Sequence, residues 1–282
     1  WGSVKLGKDL GIYASDAILN DMTLLGVGMG AGNLAGNTTT LGRIGTGFMY
    51  ADWKSQVAYT SPNWNGFQAT VAITNPNQGF GAAYQDRYGV EAKASYAWTG
   101  DVAGKVWASL ASYDVTTAAV AAVTGVVGTT TVAAVAPVTA VASQDYKATA
   151  WDIGANVNVA GFGLTGYYYD GKGAGTTVFG NLGADANGKR RDSNGGYVQA
   201  TYVIPTGTKL GVAYGVSKLD NVAGDAAALL EKNRRYTVGA YHPLTKSLNL
   251  VAEYNDIRAE AQSSTISDQK SKSLSLGAIL FF

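Results

Sequence analysis

The sequence predicts an all-β fold: a transmembrane antiparallel β-barrel whose outer face meets lipid. Three observations lead there. In the closing residues, Leu274, Leu276, Ala278, Leu280 and Phe282 lie on one face of a strand and Ser271, Ser273, Ser275 and Gly277 on the other, because side chains alternate with period two. The apolar face ends in an aromatic ring, as a lipid-facing strand does at the membrane interface. Charged residues make up only 15% of the 282 residues, against roughly 25% in soluble globular chains, yet no run is long and aliphatic enough to span as a helix. Finally, twelve segments of this kind are joined alternately by short turns and long loops, the asymmetry of outer-membrane barrels.

Taken in order, residues 1–8 form the first strand, with Val4 and Leu6 facing away from Ser3, Lys5 and Gly7. Residues 9–43 follow as a long segment holding an apolar stretch (Ala17, Ile18, Leu19, Met22, Leu24, Leu25) and a glycine-rich tail. A connection of that length usually carries function. Alternation resumes at Lys54, turns at Ser61-Pro62-Asn63-Trp64-Asn65-Gly66, where proline and glycine set the backbone, and returns from Phe67. Further strands are expected over residues 88–98, 105–113, 146–159, 164–170, 196–204, 209–219, 234–242, 248–257 and 272–282. Tyr59, Trp98, Tyr202 and Tyr254 stand near strand ends, where interfacial girdles sit. Residues 114–145 read as a long extracellular loop with a low-complexity core of Ala, Val, Thr and Gly (116–142). Valine and threonine favour extended backbone there, and a long apolar loop needs a covering surface.

Composition narrows the function. A formal net charge of +1 gives no reason to expect a nucleic-acid partner. With no cysteine, neither disulfides nor Cys-based metal sites are expected. The single histidine, His242, sits at a short turn beside Pro243 and reads as an interfacial residue, with no partner pattern for nucleophilic catalysis. Gly26-Val27-Gly28-Met29-Gly30-Ala31 formally matches a dinucleotide fingerprint, but residues 33–40 do not begin the helix that fingerprint needs. No enzyme, cofactor or metal site is expected. The first residues already read as a strand with no export signal ahead of them, so the native start is expected upstream.

Three stretches carry a resemblance: Gly2-Ser3-Val4-Lys5-Leu6-Gly7-Lys8 before the long loop, Val57-Ala58-Tyr59-Thr60-Ser61-Pro62 followed by Asn63-Trp64-Asn65-Gly66-Phe67, and the terminal residues 277–282. In order and spacing they resemble the general trimeric porins of Gram-negative outer membranes, of the betaproteobacterial kind, over all but residues 116–142. That resemblance implies a single barrel domain over 1–282, part of a sixteen-stranded porin barrel in which residues 1–8 match the fifth strand. Four further strands would come from residues outside this sequence; a barrel of these twelve alone is the lesser alternative. It also implies a terminal Phe282 like the porin assembly signal, a homotrimer, and contact with membrane lipid and lipopolysaccharide. The expected function is a water-filled channel for passive diffusion of small hydrophilic solutes and ions, with mild anion preference. The alternative is a structural or adhesive surface barrel acting through its long apolar loop.

By the same resemblance, residues 9–43 fold into the lumen and constrict it. Asp16 and Asp21 are expected to project carboxylates into the water, with Arg43 at the loop's end. Inward wall positions carry Lys5, Lys54, Arg87, Lys93, Lys209 and Arg235, against the acids Glu91, Asp152 and Glu253. An acidic loop facing a basic wall would set a transverse field across the pore. Ala69, Ala92 and Ala94 are small outward residues that would permit close packing of copies.

Overall fold

The computed structural model describes residues 1–26, 42–75, 83–84, 87–117 and 143–282. Among the described residues, thirteen strands form one antiparallel sheet. They are β1 (Ser3–Leu10), β2 (Trp53–Thr60), β3 (Phe67–Thr74), β4 (Ala83–Tyr84), β5 (Gly89–Trp98), β6 (Val102–Thr117), β7 (Gln144–Val159), β8 (Phe162–Lys172), β9 (Asp192–Val203), β10 (Lys209–Leu219), β11 (Leu230–Pro243), β12 (Leu248–Ala261) and β13 (Gln269–Leu280). Twelve pair with their neighbours in chain order, and the two-residue β4 pairs with β6 off that path. Among the described residues, β1 pairs along its length with β2 and β13 with β12.

Turn chemistry sets the register. Ala160 and Gly161 both adopt positive φ (47° and 84°) between Val159 and Phe162, the two-residue turn whose twist matches flanking strands. Gly66 has φ 98°, and a Cβ there would lie 2.2 Å from the Ala97 carbonyl oxygen. Its amide donates to Asn63 Oδ1 at 2.7 Å. Only glycine fits both demands.

The apolar faces point outward. Leu276 is 77% exposed and Val4, Val57, Ile73, Ile153, Leu164 and Leu274 are all exposed, a surface that only lipid or another chain would cover. Aromatics cluster at both ends of the strands. Trp64–Phe67, Tyr96–Trp98 and Phe162–Tyr202 stack near the short turns, while Trp151 and Tyr168 meet toward the long loops.

Several expectations are corrected. β6, β7 and β8 each extend by two or more residues beyond the expected ends at the long-loop side, because cross-strand pairing continues past the apolar band. The closing strand stops at Leu280, and Phe281 instead donates its amide to the Ser247 carbonyl at 2.8 Å. Among the described residues, one helical turn, α1 (Ser15–Leu19), interrupts the strands. It splits the apolar stretch: Ala17, Ile18 and Met22 are buried against the wall, but Leu19 is 57% exposed and Leu25 is exposed too. A helix carries only one face against a wall. Residues 27–41 of the long segment, and with them most of the glycine fingerprint, lie outside the described residues, as do residues 118–142 of the low-complexity loop.

Candidate functional site

Residues 11–26 and 42–50 lie against the inner sheet face. There Tyr13, Ala14, Ala17, Ile18, Ile44, Phe48 and Met49 pack with the wall aromatics Trp107, Tyr113, Tyr167, Tyr169 and Tyr197. A loop carried inside a sheet must satisfy its own backbone polar groups, and wall side chains do that here. Glu91 accepts the amides of Ile12 (2.6 Å) and Tyr13 (3.2 Å). Asp152 accepts the Ala14 amide at 3.2 Å, and it is oriented by the Ser109 amide and hydroxyl and by the Tyr167 hydroxyl at 3.0 Å. Tyr197 donates to the Ala17 carbonyl at 2.6 Å. Gln199 accepts the Met22 amide at 2.9 Å and donates to the Asn20 carbonyl at 2.6 Å. Ser217 and Asn233 hold Gly47 and Gly45.

The charged residues divide into three groups. Asp16 is buried where α1 meets the wall, paired with Lys93 at 2.8 Å and with Lys105. Burial raises its carboxyl, but the two ammonium groups outweigh that and hold it below the usual carboxylate value. Lys93 also donates to Ser15 Oγ at 3.1 Å. Lys93 and Lys105 are partly exposed toward a polar cleft of about 350 Å³ shared with Lys5, Asp9 and Leu19. Lys5 and Asp9 pair with each other on β1.

The second group is dry. Asp21 and Arg43, both with 0% side-chain exposure, pair at 2.7 Å and again through Nε at 3.1 Å. The Arg43 guanidinium lies 4.7 Å from the Tyr197 ring centroid. Burial raises Asp21, yet Arg43 beside it prevails and leaves the carboxyl below its ordinary value. Arg235, also buried, donates from Nε to Asn255 Oδ1 at 3.0 Å. Lys54 pairs with Glu91, and both are buried beside Tyr113. Asp16 and Asp21 therefore do not project into open water as expected. Asp16 is covered against the wall cations Lys93 and Lys105, and Asp21 by the loop's own Arg43. Glu91, Asp152 and Glu253 are likewise buried, Glu91 and Asp152 engaged with loop amides and Glu253 accepting the Tyr241 hydroxyl at 2.6 Å.

The third group stands apart. Arg87 precedes β5 and its side chain is 71% exposed, 3.8 Å from Asp114, which sets it with β6 rather than with the charges around residues 11–26 and 42–50. Lys209 is placed over the Tyr241 ring, 5.0 Å from the centroid. Lys105 was missed from sequence. Its signal was parity, since it shares the inward face of β6 with Trp107 and Ser109. His242 Nδ1 lies 2.9 Å from Thr208 Oγ1 at the short turns.

This arrangement offers charged walls beside a polar cleft and a loop pinned to the inner surface. The fold has known counterparts. The fold resembles the outer-membrane channel DcaP of Acinetobacter baumannii (TM-score 0.68, 15% identity, 99% of this chain and 71% of that one). It also resembles an anion-selective porin from Comamonas acidovorans (TM-score 0.55, 18% identity, 99% and 70%) and OmpT of Vibrio cholerae (TM-score 0.57, 16% identity, 100% and 76%). No curated sequence matches the chain. A family model described as Gram-negative porin matches residues 1–262. With outward apolar strands, an inward loop and that match over nearly all its length, the chain is an outer-membrane diffusion channel and belongs to the Gram-negative porin family.

Proposed function

We propose that the cleft bounded by α1, Lys93 and Lys105 is the selectivity region of the pore, and that it mildly favours anions. The observation that carries this reading is the charge left facing the cleft. Lys5, Lys93 and Lys105 line it with Asp9, and the buried Asp16 behind Lys93 and Lys105 is the second acid, a surplus of one cation. Rings of lysine favour anion passage, and the neighbour from Comamonas acidovorans is described as anion-selective. Asp21, Arg43, Lys54, Glu91 and Arg235 act in this reading as anchors that hold the loop in place, and Arg87 takes no part. Residues 9–43 act as the constricting element, and no covalent chemistry accompanies transport.

Reversal potentials in planar bilayers under a salt gradient test it. Lys93→Glu with Lys105→Glu should shift preference toward cations, whereas Arg87→Glu should leave it unchanged. An unchanged reversal potential in the double variant sinks the assignment.

A homotrimer in contact with lipid and lipopolysaccharide completes the reading. Ala69, Ala94 and Ala108 lie side by side in one register row across β3, β5 and β6. They floor an apolar hollow rimmed by Tyr59, Trp64 and Trp151, which would admit a neighbouring copy closely. Native mass spectrometry of the detergent-held protein should show a threefold mass, reduced by Ala94→Trp.

A further inference from the structure

The connection between β8 and β9, residues 173–191, is a second segment carried inward. Phe179 is 3% exposed and meets Tyr13 and Tyr113 edge-on, with ring centroids 5.8 and 4.7 Å apart. The Tyr50 amide donates to the Thr177 carbonyl at 2.7 Å, which ties this connection to the constricting segment. Within it, the amides of Thr176 and Gly180 donate to the carbonyls of Asn181 (3.0 Å) and Ala174 (2.8 Å). Arg191 fastens the outer part: Nη1 donates to the Leu182 carbonyl at 3.0 Å, and Nε donates at 2.8 Å to Asp225 Oδ2 in the loop between β10 and β11. A connection this long and this closely held usually carries function.

Two of its residues hold a backbone that their side chains disfavour. Thr177 has φ 71° and Leu182 has φ 60°, the left-handed region that residues other than glycine rarely enter, and a β-branched one least of all. Both line one cavity of about 300 Å³. Strain of this kind gathers where ligands are clamped. Across the cavity stand Leu230 of β11, Ala261 of β12 and, beyond them, Ile266 and Gln269. Ile266 is 37% exposed, so the cavity opens beside the long loops, which in outer-membrane barrels is the outside.

The lining joins hydrocarbon, from Leu182, Leu230 and Ile266, to the neutral hydrogen-bonding groups of Thr176, Asn181 and Gln269. Thr176 Oγ1 is buried without a hydrogen-bond partner, a cost that a bound polar group would remove. Among the described residues lining the cavity, Glu260 alone is ionised. Lys232 (2.8 Å) and Arg234 (2.6 Å), neither of which lines it, already neutralise that carboxylate. A charged guest would therefore lose hydration without gaining an opposite charge.

The geometry points to a solute-binding subsite at the outer mouth, for a small uncharged solute with amide or hydroxyl groups beside a hydrocarbon face. Its volume suits a small molecule, and a few placed polar groups within an apolar lining fix how such a guest lies. The subsite holds the solute before it reaches the constriction. It rests on the channel reading but not on where the pore selects ions.

Single-channel recording of the full chain in planar bilayers tests it with N-acetyl-leucinamide, which has two amides beside an isobutyl group, added on the long-loop side. Its residence should add current noise that saturates with concentration. N-acetyl-glycinamide, which lacks the isobutyl group, should need about 10-fold more for half saturation, the effect of roughly two buried methylenes. Ile266→Trp fills the cavity from an exposed loop position and should remove the saturable noise. Equal half saturation by the two amides, or noise that never saturates, overturns the subsite in the unmodified protein, without any variant having to fold. Saturable noise that survives Ile266→Trp overturns it too. Reversal potentials from the same channels report on the charged cleft, so failure there and failure here are distinguishable.

Discussion

Replacing Glu91 with glutamine isolates what holds the loop to the wall. Glu91 is fully buried, pairs with the buried Lys54, and accepts two consecutive loop amides. Glutamine keeps an acceptor for Ile12 but removes the charge, leaving the Lys54 ammonium with Tyr113 Oη at 2.8 Å as its neutral partner. Removing one member of a buried pair costs ~3–5 kcal/mol. That penalty falls on the closed loop alone, because an opened loop lets water reach Lys54. Hydrogen exchange at the Ile12 and Tyr13 amides should therefore quicken by about 100-fold, as ~3 kcal/mol of lost local stability requires. The Ile153 amide, inside the ladder between β6 and β8, should not change. Adding Lys54→Met to Glu91→Gln removes the stranded charge and should restore most of the protection, a coupling that a double-mutant cycle reads directly. Exchange within threefold of the unmodified protein in the single variant, or a double variant worse than the single, would refute the pair as the anchor.

Three further outcomes are expected. Asp21 is held below its ordinary value by Arg43, so its contribution is complete above the unfolded carboxylate range near ~4 and is lost only as pH falls through the lower folded value. Open-channel current noise should accordingly stay flat down to about pH 4 and rise below it, with Asp21→Asn noisy at every pH. Asp225, in the loop between β10 and β11, pairs with Arg191 and is lowered to about 2, so that loop should resist limited proteolysis at pH 3 as at pH 7 and become cleavable in Asp225→Asn. Leu276→Arg places a charge on the exposed apolar face of β13 and should destabilise the membrane-inserted state by ~2–4 kcal/mol, measured by urea titration in lipid vesicles.

The strands were legible because a lipid-facing sheet imposes the strongest period-two signal a chain can carry. Leu274, Leu276 and Ala278 alternate with Ser273, Ser275 and Gly277, and the structure places the three apolar residues outward. Alternation could not show where pairing stops, since Val115 and Tyr146 continue the pattern into the long-loop side and pair there. Nor could it show α1. Five residues are too few for a helical period to stand out, and the turn follows Ala14 at φ 60°, a backbone state that no residue type there announces.

The charged residues were legible in position but not in partner. Parity placed Glu91 and Lys93 on the inner face, two residues apart on one strand, yet their environments differ completely. Glu91 is capped by loop amides and dry, while Lys93 reaches the cleft. That difference lies in the path of residues 11–26, which no period encodes. Parity failed for Arg87 because the pairing of β5 with β3 starts only at Gly89. The division that results links anchoring to selectivity. Wall carboxylates engaged in holding the loop are withdrawn from the water: Glu91 caps Ile12 and Tyr13, and Asp152 caps Ala14. Asp21 is withdrawn in the same way, by closing the loop on itself through Arg43. The acids nearest the cleft are then Asp9 and Asp16, each already facing lysine. A loop fastened by acids thus leaves a lumen biased toward cationic side chains, so loosening those fastenings should weaken anion preference even where no residue of the cleft is altered.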